Sequence, residues 1–154
     1  MRDLGPGRET HPEEWQRLIQ EAEDKGVEIR SRPGGIAYNP GGPGDPGQII
    51  LDPDASIWAL RHEMSHMRDN EAAGWPGTRA AYDRRFLAAS EERSYNLEID
   101  GARAMGRDDL ADQLVELRDT RLREIKGNLD LGEDLLPREV TNEIFGDWDF
   151  PSGL

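Results

Sequence analysis

Two histidines four residues apart bracket a glutamate in Leu60-Arg61-His62-Glu63-Met64-Ser65-His66-Met67. On an α-helix, positions i and i+4 lie one turn apart on the same face. Both imidazoles can then reach one metal ion, with Glu63 beside it as a carboxylate base. Chance produces His-Glu-x-x-His in well below about one per cent of chains this long. A zinc site with an open position needs three protein ligands and a water. The chain has no cysteine, so every ligand must be a histidine or a carboxylate.

The third ligand has few sources. A His-x-x-Gly-x-x-His extension would need glycine at position 69 and histidine at 72, but the chain has Asp69 and Ala72. His11, the remaining histidine, falls in a helix-start turn. Carboxylates remain, and Ser90-Glu91-Glu92-Arg93-Ser94-Tyr95-Asn96-Leu97-Glu98 supplies three. Glu91, Tyr95 and Glu98 share a helical face with Ala88 and Ala102, while Glu92 points about 100° away. A face of small residues and acids packs close to a neighbour and presents carboxylate to it. Glu91 is the candidate ligand, with Glu98 next and Glu92 third. Only one of Glu91 and Glu98 can bind, because about 10 Å of helix separates them. The other is left to orient a histidine or to face the cleft.

The elements that position these residues read as follows. Thr10 and Glu13 form a capping box before a helix carrying Trp15, Leu18, Ile19 and Ala22, which Gly26 ends. Short strands are expected at 27–30, 36–38 and 48–51, with a Gly/Pro loop over 39–47. Asp52 and Pro53 are placed as N-cap and first residue of the central helix, which runs to about Ala73. Ile57, Leu60, Met64 and Met67 form its apolar stripe, His62, Glu63, His66 and Asn70 a neighbouring face, and Arg61, Ser65 and Arg68 a solvent face. Gly74-Trp75-Pro76-Gly77 breaks the chain. A helical run over 78–105 follows, long enough to kink near Ala88 to Ser90. Asp108 caps a helix bearing Leu110, Leu114, Leu117, Leu122 and Ile125 and ending at Gly127, and a short helix is expected over 137–145. The fold class is α+β: a small antiparallel or mixed sheet, the His-Glu-x-x-His helix, then a mostly helical remainder. One domain over 1–154 is expected, with a linker-like lead-in at 1–9 and an acidic tail at 128–154.

Composition narrows the partners. The formal net charge of −13 argues against nucleic acid, whose binding depends on Lys and Arg neutralising phosphates. Between Asp130 and Asp149 the sole base is Arg138. No apolar run approaches the length of a membrane span. Met1 to Gly7 has no apolar signal region and reads as a Gly/Pro linker, as in a piece cut from a longer protein. The lack of cysteine fits any compartment.

His62-Glu63-Met64-Ser65-His66 followed by helical Glu91-x-x-Ser94-Tyr95 resembles the zincin metallopeptidases of the gluzincin type. The resemblance spans roughly residues 48–105, including the strand 48–51 that enters the helix. The small size and Gly/Pro-rich lead-in are similar to zincin toxin or effector domains of bacterial polymorphic toxins, and to small zincins that clip regulatory proteins. Two neighbouring types do not fit: the Asp ligand expected after Gly77-Thr78 would fall at Ala81, and peptide deformylase needs a cysteine.

The resemblance implies a zinc peptidase acting on a protein or peptide substrate, with His62, His66 and Glu91 as ligands and Glu63 as general base. It implies an oxyanion donor, for which Tyr95 is the candidate and Tyr82 and Tyr38 the alternatives. The strand 48–51 either offers an edge to an extended peptide or lies in the interior of the sheet. A toxin domain brings a cognate immunity or regulatory protein as partner and secretion or delivery within a larger protein. The rival readings are a regulatory zincin that cleaves one specific partner and a non-catalytic, metal-stabilised binding module.

Overall fold

Helical periodicity before residue 25 and after residue 56, with short β-branched runs between, builds a chain of helices around one small sheet. The computed structural model describes residues 4–130. The elements are α1 (Gly7–Thr10), α2 (Pro12–Asp24), β1 (Glu28–Ser31), β2 (Ile36–Asn39), β3 (Gln48–Leu51), α3 (Ile57–Ala72), α4 (Thr78–Ala81), α5 (Arg84–Ala104) and α6 (Asp108–Asp130). The expected helix over 137–145 and most of the acidic tail lie outside the described residues. No helix among those described is long and apolar enough to cross a membrane.

The sheet is mixed, in the order β1-β3-β2. β3 runs parallel to β1, with Ile49 opposite Ile29, and antiparallel to β2, with Ile49 opposite Tyr38. β3 is therefore the middle strand, and both its edges are filled. Of the two readings of residues 48–51, an edge for a peptide or an interior strand, the interior one holds. All four of its residues are buried, which is what its unbroken apolar sequence encodes.

The apolar stripe of α3 packs where it was expected. Leu60, Met64 and Met67 are fully buried with Ile49 and Leu51 of β3 and with Trp15, Leu18 and Ala22 of α2. Each such side chain contributes roughly 1.5–3 kcal/mol by leaving water. The face carrying Arg61, Ser65 and Arg68 meets α2 rather than open solvent. Arg61 pairs with Glu14, Arg68 makes two 2.8 Å bonds to Glu21, and Ser65 is buried.

Helix boundaries depart from expectation for local reasons. Asp52 does not cap α3, because its carboxylate already accepts from Gly34 N and Asp54 N at 2.9 Å each. Ser56 caps instead, accepting from Ala59 N at 3.2 Å. The capping box at Thr10 does not form; α2 begins after His11, with Pro12 at its first position, and Thr10 Oγ1 lies 2.8 Å from His11 Nδ1. The long run after Gly77 breaks earlier than Ala88. Asp83 caps α5 by accepting from Arg85 N and Phe86 N, at 3.1 and 3.4 Å, and this separates α4 from α5. Gly127 does not end α6, which continues to Asp130.

Two glycines set positions that matter to the centre of the molecule. Gly47 has φ +84°, and a Cβ there would collide with the Asn39 carbonyl, so the 40–47 loop closes tightly onto β2. Gly101 on α5 lies against the Trp58 ring of α3, where a Cβ has no room. This contact lets the two helices approach closely.

Candidate metal centre

α3 and α5 run antiparallel: His62 meets Glu98, and His66 meets Ser90 and Glu91. The helix pair brings His62, His66 and Glu91 together with all three ligand atoms within 4.8 Å of one another. Glu91 Oε1 lies 2.7 Å from His66 Nε2 and 3.6 Å from His62 Nε2. Atoms each bound at about 2.0–2.2 Å to one tetrahedral zinc stand roughly 3.5 Å apart. The side chains of His62, His66 and Glu91 are 12%, 10% and 1% exposed, so the centre is nearly dry.

The outer ring nitrogens are tied down. His62 Nδ1 lies 2.8 Å from Glu98 Oε1. An ionised carboxylate only accepts, so Nδ1 carries a proton, and in the neutral ring that binds a metal Nε2 then turns its lone pair towards Glu91. His66 Nδ1 lies 2.7 Å from Ser90 Oγ, and donation to that hydroxyl leaves His66 Nε2 in the same state. His66 Nε2 and Glu91 Oε1 are buried, face one another, and yet make no hydrogen bond. Buried polar atoms without a partner are costly. A cation between them satisfies both, so the donor set fits a metal ion of the zinc type.

The charges are coupled. Burial disfavours the His62 cation, but the carboxylates of Glu91 and Glu98 outweigh it and hold its pKa well above the ordinary value. Burial works against ionised Glu91 too, but the two histidines prevail and hold it far below the usual carboxylate range. The two shifts report one interaction, the mutual attraction of imidazoles and carboxylates across a pocket that water barely enters.

Glu63 points into the same space without joining the ligand set. It is buried, and its Oε2 accepts from the Tyr38 backbone N–H at 2.7 Å. Burial raises its pKa. A carboxyl so placed is a better proton acceptor and donor near neutral pH than an exposed one.

The other candidates fall as follows. Glu98 is at the back of His62, and Glu92 is exposed. His11 stays at the start of α2. Tyr95 stands edge-on to the His62 ring with centroids 5.2 Å apart. Burial raises the pKa of Tyr82, and the charges of Glu63 and Glu91 add to the effect. Tyr38 is committed elsewhere, because its hydroxyl donates to the Pro46 carbonyl at 2.7 Å.

Three contributors escaped the sequence reading. Ser90 was visible only as the neighbour of Glu91. The Tyr38 backbone amide leaves no side-chain signal. Arg121 of α6, buried with Nε 3.5 Å from Glu91 Oε2, looks in the sequence like any of the helix's charges. A groove of about 810 Å³ passes this corner, with Tyr95 on one wall and Leu117, Thr120 and Arg121 on the other.

Comparison of the chain with protein-family models, curated proteins and solved structures finds no match.

Proposed function

We propose that the chain is a zinc-dependent metallopeptidase that hydrolyses peptide bonds in a protein or peptide substrate. The observation that carries this reading is the convergence of His62 Nε2, His66 Nε2 and Glu91 Oε1 in a dry pocket, with Glu63 beside them. A zinc ion held by those three residues would supply Lewis acidity and lower the pKa of water.

The chain's own groups divide the remaining work. Glu98 and Ser90 hold the imidazoles in the tautomer that faces inward. Glu63, anchored through Oε2 by the Tyr38 amide, would take the proton of the attacking water on its carboxylate and pass it to the leaving amine. Tyr95 is the proposed oxyanion donor, and buried Tyr82 is its alternative.

The substrate shelf would be β2. The Tyr38 amide points at Glu63, away from β3, so the β2 groups that bond β3 belong to Ala37 and Asn39. The Ile36 and Tyr38 carbonyls then line the outer edge, next to Glu63, where an extended peptide can pair. The toxin or effector role, its immunity partner and its delivery rest on the resemblance of the motif and lead-in alone.

Glu63→Gln tests the reading. The variant should fold and keep zinc but lose hydrolysis of a mixed quenched-peptide library by on the order of 10²–10⁴-fold or more. Equal activity of Glu63→Gln and the unaltered chain would refute the base. Zinc binding with no hydrolysis by the unaltered chain, across unfolded proteins and the library, would favour the binding module.

A further inference from the structure

Arg121 occupies a position where an arginine is costly. It lies seven residues after Leu114 and four before Ile125, on the stripe of α6 that both residues bury. It is 5% exposed. A buried guanidinium is tolerated only when paired. Its Nε faces Glu91 Oε2 at 3.5 Å, and its Nη1 donates to Glu124 Oε2 at 3.1 Å. Glu91 is thus held on two sides: Oε1 faces the two histidines, and Oε2 faces Arg121.

We infer that Arg121 is a positioning residue for the metal centre, fixing Glu91 so that one oxygen serves the ion and the other is withheld from it. This rests on the metal site proposed above. Two physical effects follow. A carboxylate whose second oxygen is occupied cannot rotate to offer both oxygens, so the ion keeps an open position for water. Arg121 also supplies charge. Glu63, Glu91 and Glu98 bring three negative charges into a nearly dry pocket, and a divalent ion neutralises two. Arg121, shared with the half-exposed Glu124, offsets part of the third. The arginine fork suits this role better than lysine, whose ammonium is a strongly hydrated point charge.

The test uses the full chain. Zinc affinity is measured by competition with a chromophoric chelator, and coordination by the visible absorption of the cobalt(II)-loaded protein, whose intensity reports coordination number. Arg121→Met should lose zinc affinity by on the order of 10–100-fold, as for other groups that orient metal ligands. Its cobalt bands should weaken as Glu91 takes up the ion with both oxygens. Arg121→Lys should recover part of the affinity. Glu124→Gln, which removes only the exposed partner, should leave zinc affinity unchanged. Zinc affinity and cobalt bands in Arg121→Met identical to those of the unaltered chain would overturn the inference while leaving the metal site standing. Failure of the unaltered chain to bind zinc or cobalt would overturn the site itself. If circular dichroism shows that Arg121→Met does not fold, Arg121→Lys decides: altered cobalt bands support the role, and unaltered bands refute it.

Discussion

Glu98 Oε1 lies 2.8 Å from His62 Nδ1, so the carboxylate seven residues past Glu91 holds the first histidine by the nitrogen that faces away from the centre. One helical face of α5 thereby serves both layers of the site. Glu91 supplies an oxygen to the interior, and Glu98 fixes the ring it shares that interior with. Glu98→Gln should weaken zinc binding by about 10–100-fold, because the tautomer is no longer enforced. Glu91→Ala should weaken it further. A chelator-competition titration of the two variants ranks them, and the reverse ranking would move the third ligand to Glu98.

The close approach of α5 to α3 at Gly101 keeps this geometry. Gly101→Ala drives a methyl into the Trp58 ring. Overpacking of this kind costs about 1–3 kcal/mol, and denaturant unfolding should register it. Zinc affinity should fall in the same variant, since Glu98 is less than one turn from the clash. Pairing Gly101→Ala with Trp58→Leu should restore part of both. An unchanged unfolding midpoint in Gly101→Ala would show that the helices do not depend on this contact.

The clamp between α2 and α3 gives a pH signature away from the centre. Arg68 bonds Glu21 through two nitrogens and lowers its pKa to about 2 from an ordinary value of 4.5, with burial opposing and Lys25 assisting. The group is depressed in the folded state, so its stabilisation is present above pH 4.5 and is lost as pH falls towards 2. Because Arg68 is 45% exposed, the effect should be small and weakened by salt. Glu21→Gln should flatten the acid limb of a melting-temperature profile between those values. An identical acid limb in the variant would remove Glu21 from the account.

Metal binding should itself stabilise the fold, because the ligands come from two helices that zinc would cross-link. Free zinc at about 100 times Kd adds roughly 2.7 kcal/mol to a protein that binds it only when folded. The melting temperature should therefore rise with added zinc and fall with chelator, and His66→Ala should abolish both responses. A melting temperature indifferent to zinc would contradict this.

Much of this was legible in residue order. The spacing of His62 and His66 is a property of any helix, and the acid face of Glu91, Tyr95 and Glu98 follows from the same period. The sequence could not separate the roles of Glu91 and Glu98, because helical period gives a shared face but not the axial register of α5 on α3. That register depends on the contact of Gly101 with Trp58, which is distant in the chain. Strand 48–51 was legible as a strand, but not as an edge or an interior one. Its pattern reports burial, and only long-range pairing makes β3 central. Asp52-Pro53 imitates a helix start, but its carboxylate is drawn into bonds with Gly34 and Asp54. Arg121 was illegible because a charge on a long helix ordinarily faces water.

The central claim is that His62, His66 and Glu91 together hold zinc, and the most direct test is the zinc content of protein purified without chelator, measured by elemental analysis. The protein should carry about one zinc per chain, kept in Glu63→Gln and Glu92→Ala and lost in Glu91→Ala. A chain that takes up no zinc even after the metal is added, or a Glu91→Ala variant that keeps its full complement, would contradict it.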